Sequence, residues 1–181
     1  MLLFAVTGIT LNHAGQIEAN ARVVTIEQEV PAAVRAEVQA YLESVDLNVE
    51  HPLPGALRDW LAREASVQVG TRLAEWSESD IYLSMPRPGG DAWLSVDLET
   101  GELLYESTSR GAIAYLNDLH KGRNTGTAWS WVIDLFSVAC IVFCITGLIL
   151  LQRHGKSRPA TWPVVGLGFV IPALLALLFI H

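Results

Sequence analysis

The sequence predicts a membrane protein with about three transmembrane α-helices, the first one truncated, plus an α+β extracytoplasmic domain. Three observations lead there. The 181 residues are 51% hydrophobic and only 17% charged, whereas an average soluble domain is about a quarter charged. The charge is also segregated. Eighteen of the 19 acidic residues lie between Glu18 and Asp118, and the stretch from Glu18 to Arg123 sets 18 acids against nine bases, a balance of −9. Outside it lie two long segments with almost no charge. This hydrophobicity excludes a disordered chain. The net charge of −7 leaves no basic stripe to neutralise phosphates, which excludes nucleic acid as a partner.

Ala128–Leu151 holds one charged residue, Asp134, in 24 positions. As helix it is roughly 36 Å long, enough to cross a ~30 Å hydrocarbon core. Trp162–Ile180 has no charge at all and is also long enough. Trp129, Trp131 and Trp162 sit where interfacial aromatic belts sit. The loop 152–161 carries only positive charge, Arg153, Lys156 and Arg158, so it is expected to face the cytoplasm. The acidic middle and His181 then lie on the opposite side, the periplasm of a bacterial cell. Met1–Leu11 is apolar but spans only about 16 Å as helix. It reads as the outer half of a transmembrane helix whose start is missing, with a cleaved signal peptide ending near Ala14 as the alternative. An internal echo, Val6–Leu11 (VTGITL) against Ile145–Leu150 (ITGLIL), supports the helix.

The expected organisation follows: 1–13 the outer half of the first helix, 14–119 the periplasmic domain, 120–127 a junction, 128–151 the second helix, 152–161 the basic loop, and 162–180 the third helix. Within the domain, Val23–Val30 alternates and is rich in β-branched residues, which predicts a strand. Pro31 opens a helix to about Val45, with Val34, Val38, Tyr41, Leu42 and Val45 on one face. After Pro52 and Pro54, Gly55–Ala65 predicts a short helix with Leu57, Trp60 and Leu61 inward. Val67–Val69, Ile81–Met85 and Ala92–Asp97 are expected as strands. Asp97–Glu102 reads as a hairpin loop, with Gly101 supplying a positive φ and Asp97 and Glu99 serving the turn. Arg110–Leu119 predicts a last helix leading to the membrane.

Chemistry-bearing residues are few. No hydrolytic constellation and no Gly-x-Gly-x-x-Gly fingerprint is present. His51, between Glu50 and Pro52, reads as a surface-loop residue. Cys140 and Cys144 share one face of the second helix and read as small packing residues beside Gly147.

Three segments carry a resemblance to membrane proteins that contain a PepSY domain with associated transmembrane helices. Leu2–His13 (LLFAVTGITLNH) resembles the end of the family's first helix, with its Thr-Gly and Asn-His. Val96–Leu104 (VDLETGELL) resembles the PepSY hairpin, and Asp118–Arg123 (DLHKGR) the Leu-His-x-Gly junction before a transmembrane helix. The family's first helix usually opens with a His-Arg motif, upstream of where this sequence starts, and Trp162–Ile180 is an addition.

The resemblance implies two different functions. One is a b-type haem protein of the bacterial inner membrane, similar to ferric-siderophore reductases, passing electrons from a quinol or partner protein towards a periplasmic ferric substrate. The other is a non-enzymatic membrane-anchored module that binds or regulates a peptidase, or serves as an accessory subunit. For the haem, His13 and His120 are the expected axial ligands, since both fall at helix ends on the outer side. Lys121 and Arg123 would pair with the propionates. Asp134, the one acid within a span, would accept from a ligating imidazole or pair with Lys121 or Arg123; contact with Ser130 or interfacial water is the plainer role. Interfacial anchoring is the plainer role for the two histidines as well. His154 reads as part of the positive loop and His181 as a terminal residue.

Overall fold

The computed structural model describes residues 2–17, 20–154 and 160–179. It divides into two compact units, residues 1–130 and 131–181.

The first unit begins with helix α1 (Leu2–Asn12). It continues with β1 (Arg22–Glu29), α2 (Ala32–Leu42), β2 (His51–Pro52), α3 (Gly55–Arg63), β3 (Leu73–Trp76), β4 (Asp80–Ser84), β5 (Gly90–Asp97), β6 (Glu102–Ser109) and α4 (Gly111–Lys121). The strands form one six-stranded antiparallel sheet in the order β1-β6-β5-β4-β3-β2. Period-two alternation decides which face is covered. Ala92, Leu94 and Val96 of β5, Ile81 and Leu83 of β4 and Leu103 of β6 all point one way and are buried. Val38 of α2 and Leu57, Trp60 and Leu61 of α3 close over them in a single core. Both helices start directly after a proline, Pro31 and Pro54, each with φ −57°, the angle that prefigures a first helical turn.

The sequence places most of these elements to within a few residues and misplaces one. Val67–Val69 is not a strand, although Val67 and Val69 are both buried. Ser66 takes a positive φ of 55° and Val67 donates its N–H to Leu61 O at 2.9 Å. The segment therefore plugs the core alongside α3, and its in-out-in burial imitates a strand without a ladder. The strand next in line is β3, whose Leu-Ala-Glu-Trp pattern is too short and too weakly apolar to stand out. The helix after Pro31 ends at Leu42, one turn before Val45.

The β5–β6 hairpin has the expected chemistry. Asp97 Oδ1 accepts from the N–H groups of Glu99 (2.9 Å) and Thr100 (2.7 Å), and Gly101 sits at φ +79°.

The remaining helices are α5 (Thr127–His154) and α6 (Thr161–Phe179). Both are long and apolar enough to cross a membrane. Their few hydroxyls turn back on the helix: Ser137 Oγ donates to Ile133 O (2.8 Å) and Thr146 Oγ1 to Val142 O (2.9 Å), as groups facing hydrocarbon must. Pro172 lies inside α6. The third expected span corresponds to α1, whose 11 residues are half the length a bilayer needs. The loop residues Gly155–Pro159, with Lys156 and Arg158, and the terminal His181 lie outside the described residues, as does the side chain of His154.

Candidate functional site

Of the four buried polar residues among those described, Thr7, Asn117 and Asp118 lie on α1 and α4, and the fourth, Ser107 of β6, accepts from Arg87. The two helices run antiparallel, with Thr10 opposite Asn117 and Thr7 opposite His120. Thr10 Oγ1 donates to Asn117 Oδ1 at 2.7 Å, and Thr7 Oγ1 lies 2.7 Å from His120 Nδ1. Thr7 is only 4% exposed. The same hydroxyl lies 2.9 Å from Leu3 O, so Thr7 bridges its own helix and the imidazole. The ring also packs on Phe4, with centroids 5.1 Å apart.

Helix α4 is fixed at both ends. Gly122 takes a left-handed conformation at φ +68°. The N–H of Gly122 then reaches Leu119 O (3.2 Å) and that of Arg123 reaches Asp118 O (2.9 Å), the Schellman pattern that satisfies a helix C-terminus. Trp129 Nε1 donates to Leu119 O at 2.9 Å, tying the first turn of α5 to the same end. On the sheet side, Asp118, 6% exposed, accepts the Gly89 N–H through Oδ2 at 2.8 Å, with Arg110 3.9 Å away. Gly89 has φ +69°, and a Cβ there would come within 2.7 Å of the Tyr115 backbone. Successive residues of one turn thus face two ways: Asn117 towards α1 and Asp118 towards the β4–β5 loop.

A cavity of about 350 Å³ lies between the turn after α1 and the start of α4, bordered by Ala14, Ile17, Asn20 and Arg110. The space beside Thr7, His120 and Trp129 is only about 20 Å³.

Two carboxyls outside the membrane segments are held below their usual value of 3.8. For Asp97 the main cause is the backbone N–H of Thr100, and for Asp46 that of Asn48.

The structure separates the expected haem ligands. His13 is exposed and its Nδ1 lies 3.0 Å from Ile9 O on its own helix. Carrying the Thr7–His120 and Thr10–Asn117 register forward places it opposite Ala114, six residues or ~9 Å along α4 from His120. Paired axial imidazoles need one gap at one depth. The helices here pack directly, and the space beside His120 is far below the roughly 300–1,000 Å³ of ordinary small-molecule sites. A haem held between His13 and His120 does not fit this arrangement. Lys121 and Arg123 are exposed at the end of α4, and Asp134 lies exposed along α5. Among the described residues, no group of three or more His, Cys, Asp and Glu side chains is placed to hold a metal ion. His51 is half-buried, its ring nitrogen Nε2 3.0 Å from Asp46 O, and its own carbonyl accepts from Trp76 Nε1 at 3.2 Å.

Thr7 and Thr10 join α1 to His120 and Asn117, while Asp118 ties α4 to Gly89; of these residues the sequence singles out His120 alone. The signal was present as two threonines three apart on an apolar helix and an Asn-Asp pair in a helix leading to a membrane.

The family model for PepSY_TM-like proteins matches residues 1–181. The chain belongs to the PepSY_TM-like family. No curated protein and no solved structure matches it. The family confirms the resemblance read from the Thr-Gly, hairpin and Leu-His-x-Gly segments. It makes this a PepSY-associated membrane protein, in keeping with α5 and α6.

Proposed function

We propose that this PepSY_TM-like protein is a membrane-anchored, non-enzymatic module that holds its sheet domain at the bilayer surface and there binds a protein partner, a peptidase or a larger complex to which it is accessory. The observation that carries this reading is the α1–α4 joint. Thr7, Thr10 and Phe4 of an apolar helix grip His120 and Asn117, in the turn where α4 hands the chain to its first membrane-length helix. Leu2, Leu3, Val6 and Ile9 of α1 leave their side chains exposed, a surface suited to lipid. In this reading α1 is a third membrane-embedded element. The basic residues Arg153, Lys156 and Arg158 face the cytoplasm, and the acidic domain faces the periplasm of a bacterial inner membrane.

An absorption spectrum of the full chain, purified from haem-replete cells, tests the reading. We expect no Soret band. A Soret band lost in both His13→Ala and His120→Ala, with no further loss in the double variant, would replace partner binding with haem-based electron transfer.

A further inference from the structure

We infer that the free edge of β1 is a docking site for an extended segment of a partner protein that pairs antiparallel, one carrying lysine or arginine followed by β-branched residues. The inference rests on the partner-binding reading above and names where and what the module binds. β1 ends the strand order and pairs only with β6. Its ladder runs through eight consecutive pairs, Arg22↔Ser109 to Glu29↔Glu102, without a bulge. Val30 N–H donates to Gly101 O at 2.8 Å. In an antiparallel ladder the direction alternates, so Val24, Ile26 and Gln28 bond inward to β6. Val23, Thr25, Glu27 and Glu29 therefore direct their N–H and C=O groups outward, and among the described residues nothing accepts or fills them.

Natural sheets blunt such an edge with proline, lysine, a bulge or a very short strand. RVVTIEQE is eight residues long and has no proline, lysine or bulge; its only edge protection is charge, Arg22, Glu27 and Glu29, which admits a basic strand. Val23 and Val24 are each 55% exposed. A long, flat edge is what strand addition uses, with main-chain hydrogen bonds giving affinity and flanking side chains giving selectivity.

The side chains say which segment fits. Glu29 stands directly opposite Glu102, a like-charge pairing that disfavours the sheet by itself. Glu27 is two residues away on the same face. Together with Gln28 and Thr100 these three glutamates border an open cleft of about 400 Å³. Among the described residues, Arg35 is the cation paired with them, 3.6 Å from Glu29 and also donating to Thr100 O. A lysine or arginine seated there relieves the repulsion, while the valine end takes β-branched residues. A second copy of the chain offers no such match. Antiparallel self-pairing keeps each sheet face continuous, so even-numbered Arg22 never comes directly opposite Glu27 or Glu29.

The test uses the full chain in phosphatidylcholine nanodiscs and a fluorescent peptide of the sequence KTKTVTVT, whose lysines lie opposite Glu29 and Glu27 in antiparallel register. We expect saturable binding, weakened at least about tenfold by Thr25→Pro, which removes an outward N–H while leaving the bonds to β6. The same loss is expected when the peptide's alternate amides are N-methylated, which leaves the protein unaltered. Glu29→Gln with Glu102→Gln should weaken this peptide and not one with norleucine for lysine. Absent binding, or equal binding of the methylated peptide, overturns the inference. In cells, a photo-crosslinker at Val23 should trap a partner, with the adduct lost in Thr25→Pro. Adducts from Tyr82 on the exposed sheet face alone would overturn the edge and leave the partner-binding reading standing. Adducts from neither position would overturn both. A crosslink from Val23 to a second copy would overturn the partner-segment assignment.

Discussion

At Thr7 one hydroxyl reaches a histidine 113 residues away. It lies 2.7 Å from His120 Nδ1 and 2.9 Å from Leu3 O, which fixes the orientation of the imidazole against Phe4. We expect Thr7 to keep its proton on Leu3 O and so to hold His120 in the Nδ1–H form. Thr7→Val keeps the shape of the side chain and removes the acceptor, leaving the half-buried Nδ1 of His120 without its partner. We expect a loss of about 1–3 kcal/mol in stability, and ¹⁵N spectra of His120 in which the Nδ1-protonated form is no longer dominant. Thr7→Ser should restore both. An unchanged tautomer in Thr7→Val would show that Phe4 packing alone orients the ring. The sequence displayed Thr7 only as part of a Thr-Gly pair and His120 as part of Leu-His-x-Gly. Nothing local joins them, since the contact exists only once α1 packs antiparallel on α4. For the same reason two histidines that both end a helix on one side, His13 and His120, could be taken for a pair. Pairing depends on the register between helices, which helix periodicity within each one does not contain.

Among the elements, legibility followed how much of the stabilising chemistry is local. The β5–β6 hairpin was readable to the residue because its turn is self-contained: Asp97 accepts from Glu99 and Thr100, and Gly101 takes the positive φ. Helices α2 and α3 were readable from a proline start and one apolar face. Val67–Val69 misled because burial on alternate residues arises wherever an extended segment crosses a core, with or without a neighbouring strand. The hairpin also carries a pH signature. Asp97 is held below 3.8 chiefly by the Thr100 N–H, so its folded form binds protons less readily than its unfolded form. The stabilisation is therefore complete above the unfolded value of about 4 and lost as pH falls through the depressed folded value. Asp97→Ala should lower the melting temperature of the domain at neutral pH. The gap to the unsubstituted chain should close as pH falls through the depressed folded value, when both lack the carboxylate. A gap that persists unchanged in acid would mean that Asp97 acts through packing and not through its charge.

For the whole molecule, what the sequence displayed best was the contrast between an acidic middle and an uncharged end. Helices α5 and α6 follow from length and hydropathy alone, which need no partner to be read. Helix α1 did not, because 11 apolar residues are equally consistent with a signal segment, a core helix or part of a span. In the folded chain it packs against α4 through Thr7 and Thr10. The same contrast predicts orientation. The segment between α5 and α6 carries Lys156 and Arg158 and no acid, and short basic loops stay in the cytoplasm. A reporter active only in the cytoplasm should work when inserted at Gly155. A cysteine placed at Thr25, on the exposed edge strand, should react with a membrane-impermeant maleimide added from outside the inner membrane of cells with a permeabilised outer membrane. It should be protected in inside-out vesicles. The two helices make this a stringent pair, since one membrane crossing by α5 must separate Thr25 from Gly155. A silent reporter at Gly155 together with outside labelling at Thr25 would mean that α5 lies along the surface and does not cross, and the cytoplasmic placement of the basic segment would fall with it.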